Sequence, residues 1–185
     1  MISGRVWKFG DDVNTDVIMP GKYLALRNPE QIAPYIMEGI DPDFGKKARP
    51  GDVIVGGRNF GCGSSRETAP AGLHAFGIAA VIAASFGRIF LRNAINIGLP
   101  VLECPDAAQA LADGANVTVD VTTGAILDGI TGRKFQAAPF PPYLQEIIRG
   151  GGLVAYVRQR RRPQRSENLF LFRVLAPAPS APDPS

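Results

Sequence analysis

The chain has 185 residues, 45% apolar and 20% charged, enough for one soluble domain with a sizeable core. No apolar run approaches a membrane span, and the N-terminus lacks the apolar stretch of an export signal. The net charge of +3 comes from the C-terminal end. There Arg158, Arg160, Arg161, Arg162, Arg165 and Arg173 face only Glu167 and Asp183, leaving a body of about −1, so a nucleic-acid-binding role would rest on "RQRRRPQR" alone. Cys62 and Cys104 form neither a metal-spaced pair nor a disulfide framework, which points to a reducing cytoplasm.

In chain order, "GRVWKFG" reads as a first strand. "DDVNTDVIMPGKYL" reads as a polar loop running into an apolar stretch broken at Pro20. "PEQIAPYIMEGI" has helical spacing disturbed by Pro34, and "DPDFGKKARPGD" is turn chemistry. "VIVGG" is a buried strand, and "PAGLHAFG" a short helix with Pro70 in its first turn. "IAAVIAASF" is another buried strand, and "GRIFLRNAINIG" a helix stopped by Gly98. "LPVLEC" is a strand, and "DAAQALADG" a helix with Asp106 as cap and Gly114 as stop. "NVTVDVTTG" alternates as a half-buried strand, "AILDGITGRKFQA" is a hairpin, "PPYLQEIIRGGG" is the last helix, and "LVAYV" is expected to close the core. The pattern implies an α/β domain with a mixed sheet or partial barrel, spanning residues 1–157. Residues 158–185 form an Arg/Pro-rich tail expected to be disordered, although "NLFLFRVL" within it is apolar enough to dock.

"GRNFGCGSSRETAP", residues 57–70, concentrates glycines, serines and an arginine directly after a strand. It lacks the lysine of a phosphate P-loop, the third glycine of a dinucleotide fingerprint and the spacing of a nucleophile elbow. Ser64 and Glu67 stand in the S-x-x-E relation of a capping box. Against one continuous helix from Ser64, Pro70 would fall at its sixth position and forfeit a hydrogen bond. A tight turn over 61–67 that presents backbone amides and hydroxyls to a common point is the other reading. Arg66 there is a fork suited to a carboxylate, and exposed amides favour negative charge, an alkoxide included.

"NFGCGSSRETAP" resembles the signature of the small subunits of 3-isopropylmalate dehydratases, the swivel-domain members of the aconitase superfamily. "WKFGDDVNTDVIMPGKYL", "EGIDPDFGKKARPGD", "SFGRIFLRNAINIGLPVLEC" and "FPPYLQEIIRGGGLVAYV" extend the resemblance over residues 1 to about 157. The resemblance implies a swivelling β/β/α domain. It implies a hydro-lyase that interconverts 2- and 3-isopropylmalate in leucine biosynthesis by losing and re-adding water. It further implies a separate large subunit, in a heterodimer or heterotetramer, whose [4Fe–4S] cluster binds the leaving hydroxyl as a Lewis acid. This chain, with two cysteines, is expected to hold no cluster and no metal. By similarity Ser64 would be the alkoxide that takes the proton from carbon. Ser65 and Arg66 would bind the substrate carboxylate, and Arg27 in "YLALR" would be a second substrate-facing arginine. Such a base needs positive surroundings and dry packing.

Two departures stand out. Thr68 replaces the histidine common in the family's "REHAP". Tyr23, Leu24, Ala25 and Leu26 lie where related enzymes vary with substrate; Ala25 replaces the arginine of homoaconitase-type subunits, and Ala25 and Leu26 suit an alkyl-bearing malate. Hydro-lyases that interconvert 2-methylmalate and citraconate, or act on maleate or dimethylmalate, share the architecture, and a non-enzymatic swivel-domain binding module is the alternative of another class. Cys62 reads as a packed residue. His74 reads as helical, next to the site. Asn14, Thr15 and Asp16 read as a turn or an interface to the large subunit, and Asn93 and Asn96 as loop braces.

Overall fold

A computed structural model describes residues 1–26 and 28–160. Arg27 and the expected tail from residue 161 onward lie outside the described residues. Seven strands form one mixed sheet in the order β4-β3-β2-β1-β5-β6-β7. β1 (Ile2–Lys8), β2 (Val53–Gly56), β3 (Ala80–Ala83) and β4 (Val101–Glu103) run parallel. β5 (Asn116–Asp120), β6 (Ala125–Asp128) and β7 (Lys134–Gln136) form an antiparallel meander off β1.

The two halves differ in pattern because they differ in cover. β2 and β3 are buried at every position. Their residues alternate between two cores: Ile54, Val81 and Ala83 point into one, Val53, Val55, Ala80 and Ile82 into the other. Helices cover both faces there, as parallel strands require. β5 and β6 bury only alternate residues, and Val117, Val119 and Ile126 join the second core.

Most expected elements are present. α4 (Thr68–Phe76) carries Pro70 in its first turn, and α5 (Arg88–Ile97) ends on Gly98 in the left-handed conformation. Pro34 ends the helical geometry of α2 (Pro29–Ile32), which passes into a 3-10 turn at Ala33–Tyr35.

Four details differ. Residues Phe44–Lys47 form a short helix, α3, rather than a bare turn, because Phe44 is fully buried edge-on against Trp7 at 5.0 Å. α6 (Pro105–Ala110) has Cys104 at its N-cap and Asp106 inside its first turn. It stops well before Gly114, where Lys8 Nζ donates to the carbonyls of Gln109 and Leu111. α7 (Pro142–Arg149) is followed by another helix, α8 (Leu153–Arg160). "LVAYV" lies in α8 and buries no residue; both faces of the parallel strands are already covered, so the core is complete without it. The expected boundary near Val157 falls inside α8.

Candidate active-site loop

The loop after β2 is held by continuing the parallel sheet beyond its strands. Gly61 N donates to Val13 O at 2.7 Å and Thr15 N to Cys62 O at 2.8 Å, and Asn14 bridges Cys62. On the other side Phe60 N donates to Ser85 O and Gly87 N to Phe60 O. Residues 60–62 are thus gripped between segments 13–15 and 85–87.

Close packing explains two of the glycines. Gly61 has φ +76°, and a Cβ there would lie 2.2 Å from Cγ of buried Phe90. Gly87 approaches the carbonyl of Gly61 so closely that a Cβ would sit 2.7 Å from its oxygen. Phe60, Phe86 and Phe90 form the aromatic floor, with Phe60 edge-on to both partners. The chain then rises to the surface: Gly63, Ser64 and Ser65 are exposed, and Gly63 adopts φ +94°.

The capping-box reading is overturned. α4 begins at Thr68 with Glu67 as N-cap and no side-chain cap, and Ser64 lies outside the helix. Arg66 O instead accepts from Ala69 N. Among the described residues the amides of 63–68 donate to no acceptor. These groups and the start of α4 favour negative charge beside them.

Ser64 and Arg66 are both tied to α1 (Thr15–Ile18). Thr15 Oγ1 lies 3.2 Å from Ser64 Oγ. Arg66 Nη1 makes an ion pair with Asp16 at 2.8 Å and donates to Met19 O at 3.1 Å. The Nη2 and Nε groups of Arg66 have no acceptor among the described residues, leaving an edge of the fork for an incoming carboxylate. The backbone of α1 is itself held by Asn14, whose side chain accepts from the amides of Asp16 and Val17. Asn14, Thr15 and Asp16 are therefore the platform under the loop. The sequence offers a turn signal here, but nothing in it says that the turn meets residues 62–66.

The segment at 23–26 is also braced. Tyr23 stacks on Tyr35 with ring centres 4.0 Å apart, and its hydroxyl donates to Glu38 at 2.5 Å. Lys22 pairs with the same carboxylate at 2.6 Å. Hydrogen bonds from Lys22 and then Tyr23 hold the Glu38 carboxyl below its usual range. Tyr23 is thus occupied as an anchor. Leu24 and Ala25 are exposed, while Leu26 packs on the core.

Other candidates fall away from the loop's polar centre. His74 is exposed in the last turn of α4, at the opposite end from the loop. No side-chain hydrogen bond among the described residues ties Asn93 or Asn96 to a loop, so the bracing expected of them is not found. Burial pushes the Cys62 thiol up, away from reactivity, with the charge of Asp12 adding to the effect. Thr68, half-buried, leaves its hydroxyl oxygen buried and without a partner among the described residues.

A cleft of about 720 Å³ opens near the carboxyl ends of β1, β2 and β3, lined among others by Lys8, Asp11, Arg58, Ser85 and Gln109. Its cations are already engaged: Arg58 pairs with Asp11 at 3.1 Å, and Lys8 caps α6. None of Ser64, Ser65 and Arg66 lines it, and the unspent donors of the loop make the loop the better candidate. Among the described residues no group of three or more His, Cys, Asp or Glu side chains could hold a metal ion, and none has a helix long and apolar enough to cross a membrane.

Residues 37–107, which include β2, the loop and α4, match the model of the aconitase C-terminal domain. The chain is 50% identical over 160 residues to the isopropylmalate/citramalate isomerase small subunit of Methanocaldococcus jannaschii, covering 86% of this chain and 95% of that one. It is 51% identical over 158 residues to the 3-isopropylmalate dehydratase small subunit of Methanosarcina mazei, covering 85% and 97%. A crystal structure of 3-isopropylmalate dehydratase from M. jannaschii superposes with a TM-score of 0.82 at 42% identity, covering 94% of this chain and 98% of that one. With its mixed sheet, its glycine-anchored loop and this degree of identity over most of its length, the chain belongs to the 3-isopropylmalate dehydratase small-subunit family.

Proposed function

We propose that this chain is the small subunit of a two-subunit hydro-lyase that interconverts 2- and 3-isopropylmalate, with Ser64 as its base. The observation that carries the reading is the pairing of an exposed serine and a half-spent arginine on one loop, each fixed to α1. Ser64 as an alkoxide takes the proton from the substrate carbon while the hydroxyl on the neighbouring carbon leaves as the C–O bond breaks. On re-addition of water Ser64 returns the proton. Arg66 presents its remaining donors to a substrate carboxylate, with Ser65 beside it. Arg27, next in the chain after Leu26, is assigned to the second carboxylate, and exposed Leu24 and Ala25 to the alkyl group.

The donor set of this chain does not fit an iron–sulfur cluster, since its two thiols are Cys62 and Cys104 and Cys104 is buried at the start of α6. In this reading the cluster belongs to the large subunit, where it supplies a Lewis acid for the leaving hydroxyl. Ser64 and Ser65 are exposed in the isolated chain, and an alkoxide needs water excluded. The partner must therefore cover the loop, and the small subunit alone is inactive. The catalytic unit extends through α8, to Arg160, which pairs with Glu146 of α7.

A second substrate is favoured by one comparison: the M. jannaschii relative is named for both isopropylmalate and citramalate. The test is reconstitution with an anaerobically prepared large subunit from the same source, following ultraviolet absorbance of the unsaturated acid. 3-Isopropylmalate, citramalate, dimethylmalate and malate are compared in parallel. Preferred turnover of 3-isopropylmalate supports the proposal, whereas preference for another diacid keeps the chemistry and replaces the substrate.

A further inference from the structure

Thr15 is 1% exposed and opens α1, with its amide bonded to Cys62 O. Its hydroxyl oxygen faces two atoms of one residue: Ser64 Oγ at 3.2 Å and the Ser64 carbonyl oxygen at 3.3 Å. A threonine hydroxyl has one proton to give and lone pairs to accept with. When Ser64 is neutral, its hydroxyl can donate to Thr15 Oγ1 while Thr15 donates to the Ser64 carbonyl. When Ser64 is an alkoxide it has no proton to donate. Rotation of the Thr15 hydroxyl then carries its proton from the carbonyl to Ser64 Oγ, with no heavy atom displaced.

We propose that Thr15 is a positioning residue whose single hydroxyl holds Ser64 in both protonation states, donating to the oxyanion when Ser64 is charged. The proposal rests on the assignment of Ser64 as the base. Protons balance through the cycle. The substrate proton goes to Ser64 Oγ, the Thr15 proton swings back to the carbonyl, and both steps reverse when Ser64 returns its proton to carbon. Thr15 neither gains nor loses a proton overall. The fold suits the role, because the buried, β-branched side chain is stiff and its backbone is pinned by the Asn14 cap.

The test uses the complete enzyme, this chain with its large subunit, carrying Thr15→Val, Thr15→Ser or Ser64→Ala. A hydrogen bond to a charged group lost from Thr15→Val should lower kcat about 10- to 100-fold, with KM nearly unchanged. The ascending limb of the kcat–pH profile should move about 1–2 units to higher pH, because the alkoxide loses its donor. Thr15→Ser keeps the hydroxyl and should restore both kcat and the limb. If Thr15→Val does not assemble, Thr15→Ala takes its place. A wild-type profile in the hydroxyl-free variant overturns the proposal, and so does a serine variant as impaired as the valine one. Turnover by Ser64→Ala would instead bring down the base assignment itself, so the two failures are distinguishable.

Discussion

Replacing Gly61 with alanine would press a methyl group into the ring of Phe90. The new Cβ would stand 2.2 Å from Phe90 Cγ, 2.5 Å from its Cβ and 2.6 Å from Cδ2. Carbon atoms pack at about 3.5–4.0 Å, so the ring or the loop must yield by more than about 1 Å. Phe90 is 1% exposed and wedged against Phe60 at 5.5 Å, leaving the ring no free direction. Overpacking of this kind costs about 1–3 kcal/mol, and a side chain at φ +76° adds about 1–2 kcal/mol. The expected loss is about 2–5 kcal/mol, or a fall in Tm of roughly 4–20 °C for a chain of this size. Gly63→Ala is the control: its φ is also positive, but the nearest atoms would be 3.5 Å away, so only the conformational cost of about 1–2 kcal/mol applies. Urea unfolding of the two variants against the parent measures both. If Gly61→Ala unfolds within about 1 kcal/mol of the parent, or no worse than Gly63→Ala, the loop is not anchored as described.

Three further outcomes are expected. Asp16→Asn should leave stability within about 1 kcal/mol, since the Asp16 side chain is 59% exposed. The loosened Arg66 should still lower kcat/KM about 10- to 100-fold in the reconstituted enzyme; unchanged kcat/KM refutes the tether. Thr68→Val replaces an orphaned hydroxyl with a methyl of similar shape and should stabilise the domain by about 1 kcal/mol, a gain readable as a Tm rise; a fall would mean the hydroxyl has a partner. Asp128 is 3% exposed, and hydrogen bonds from the Thr131 hydroxyl and the Ile130 amide hold its carboxyl below the ordinary range. Its stabilisation is complete above about pH 4 and is lost as pH falls through the lowered folded value, so Asp128→Ala should flatten the acid limb of stability against pH. An unchanged limb would exclude the β6–β7 turn from acid unfolding.

The strands, α4, α5 and the β6–β7 hairpin were legible because each depends on local signals: alternation in 116–120, the Gly98 stop, Pro70 in a first turn. The tight turn that exposes two serines beside an arginine was legible too, in the glycines and the Ser-Ser-Arg run. What holds the loop was not. Thr15 and Ser64 are 49 positions apart, and their contact exists only because β1 and β2 pair in parallel and their extensions continue the pairing. The α8 segment was misread for a related reason: "LVAYV" is apolar enough for a core strand, yet the sheet faces were already filled from elsewhere. α3 was missed because its one anchor, Phe44, gains its partner Trp7 from a distant strand.

The most direct test of the account is turnover by Ser64→Ala, assembled with a cluster-loaded large subunit and assayed on 3-isopropylmalate. With a complex that forms normally and an unfolding curve like the parent's, the account predicts that turnover is abolished. Turnover near the parent's rate from that same intact complex would contradict it and remove Ser64 from the chemistry.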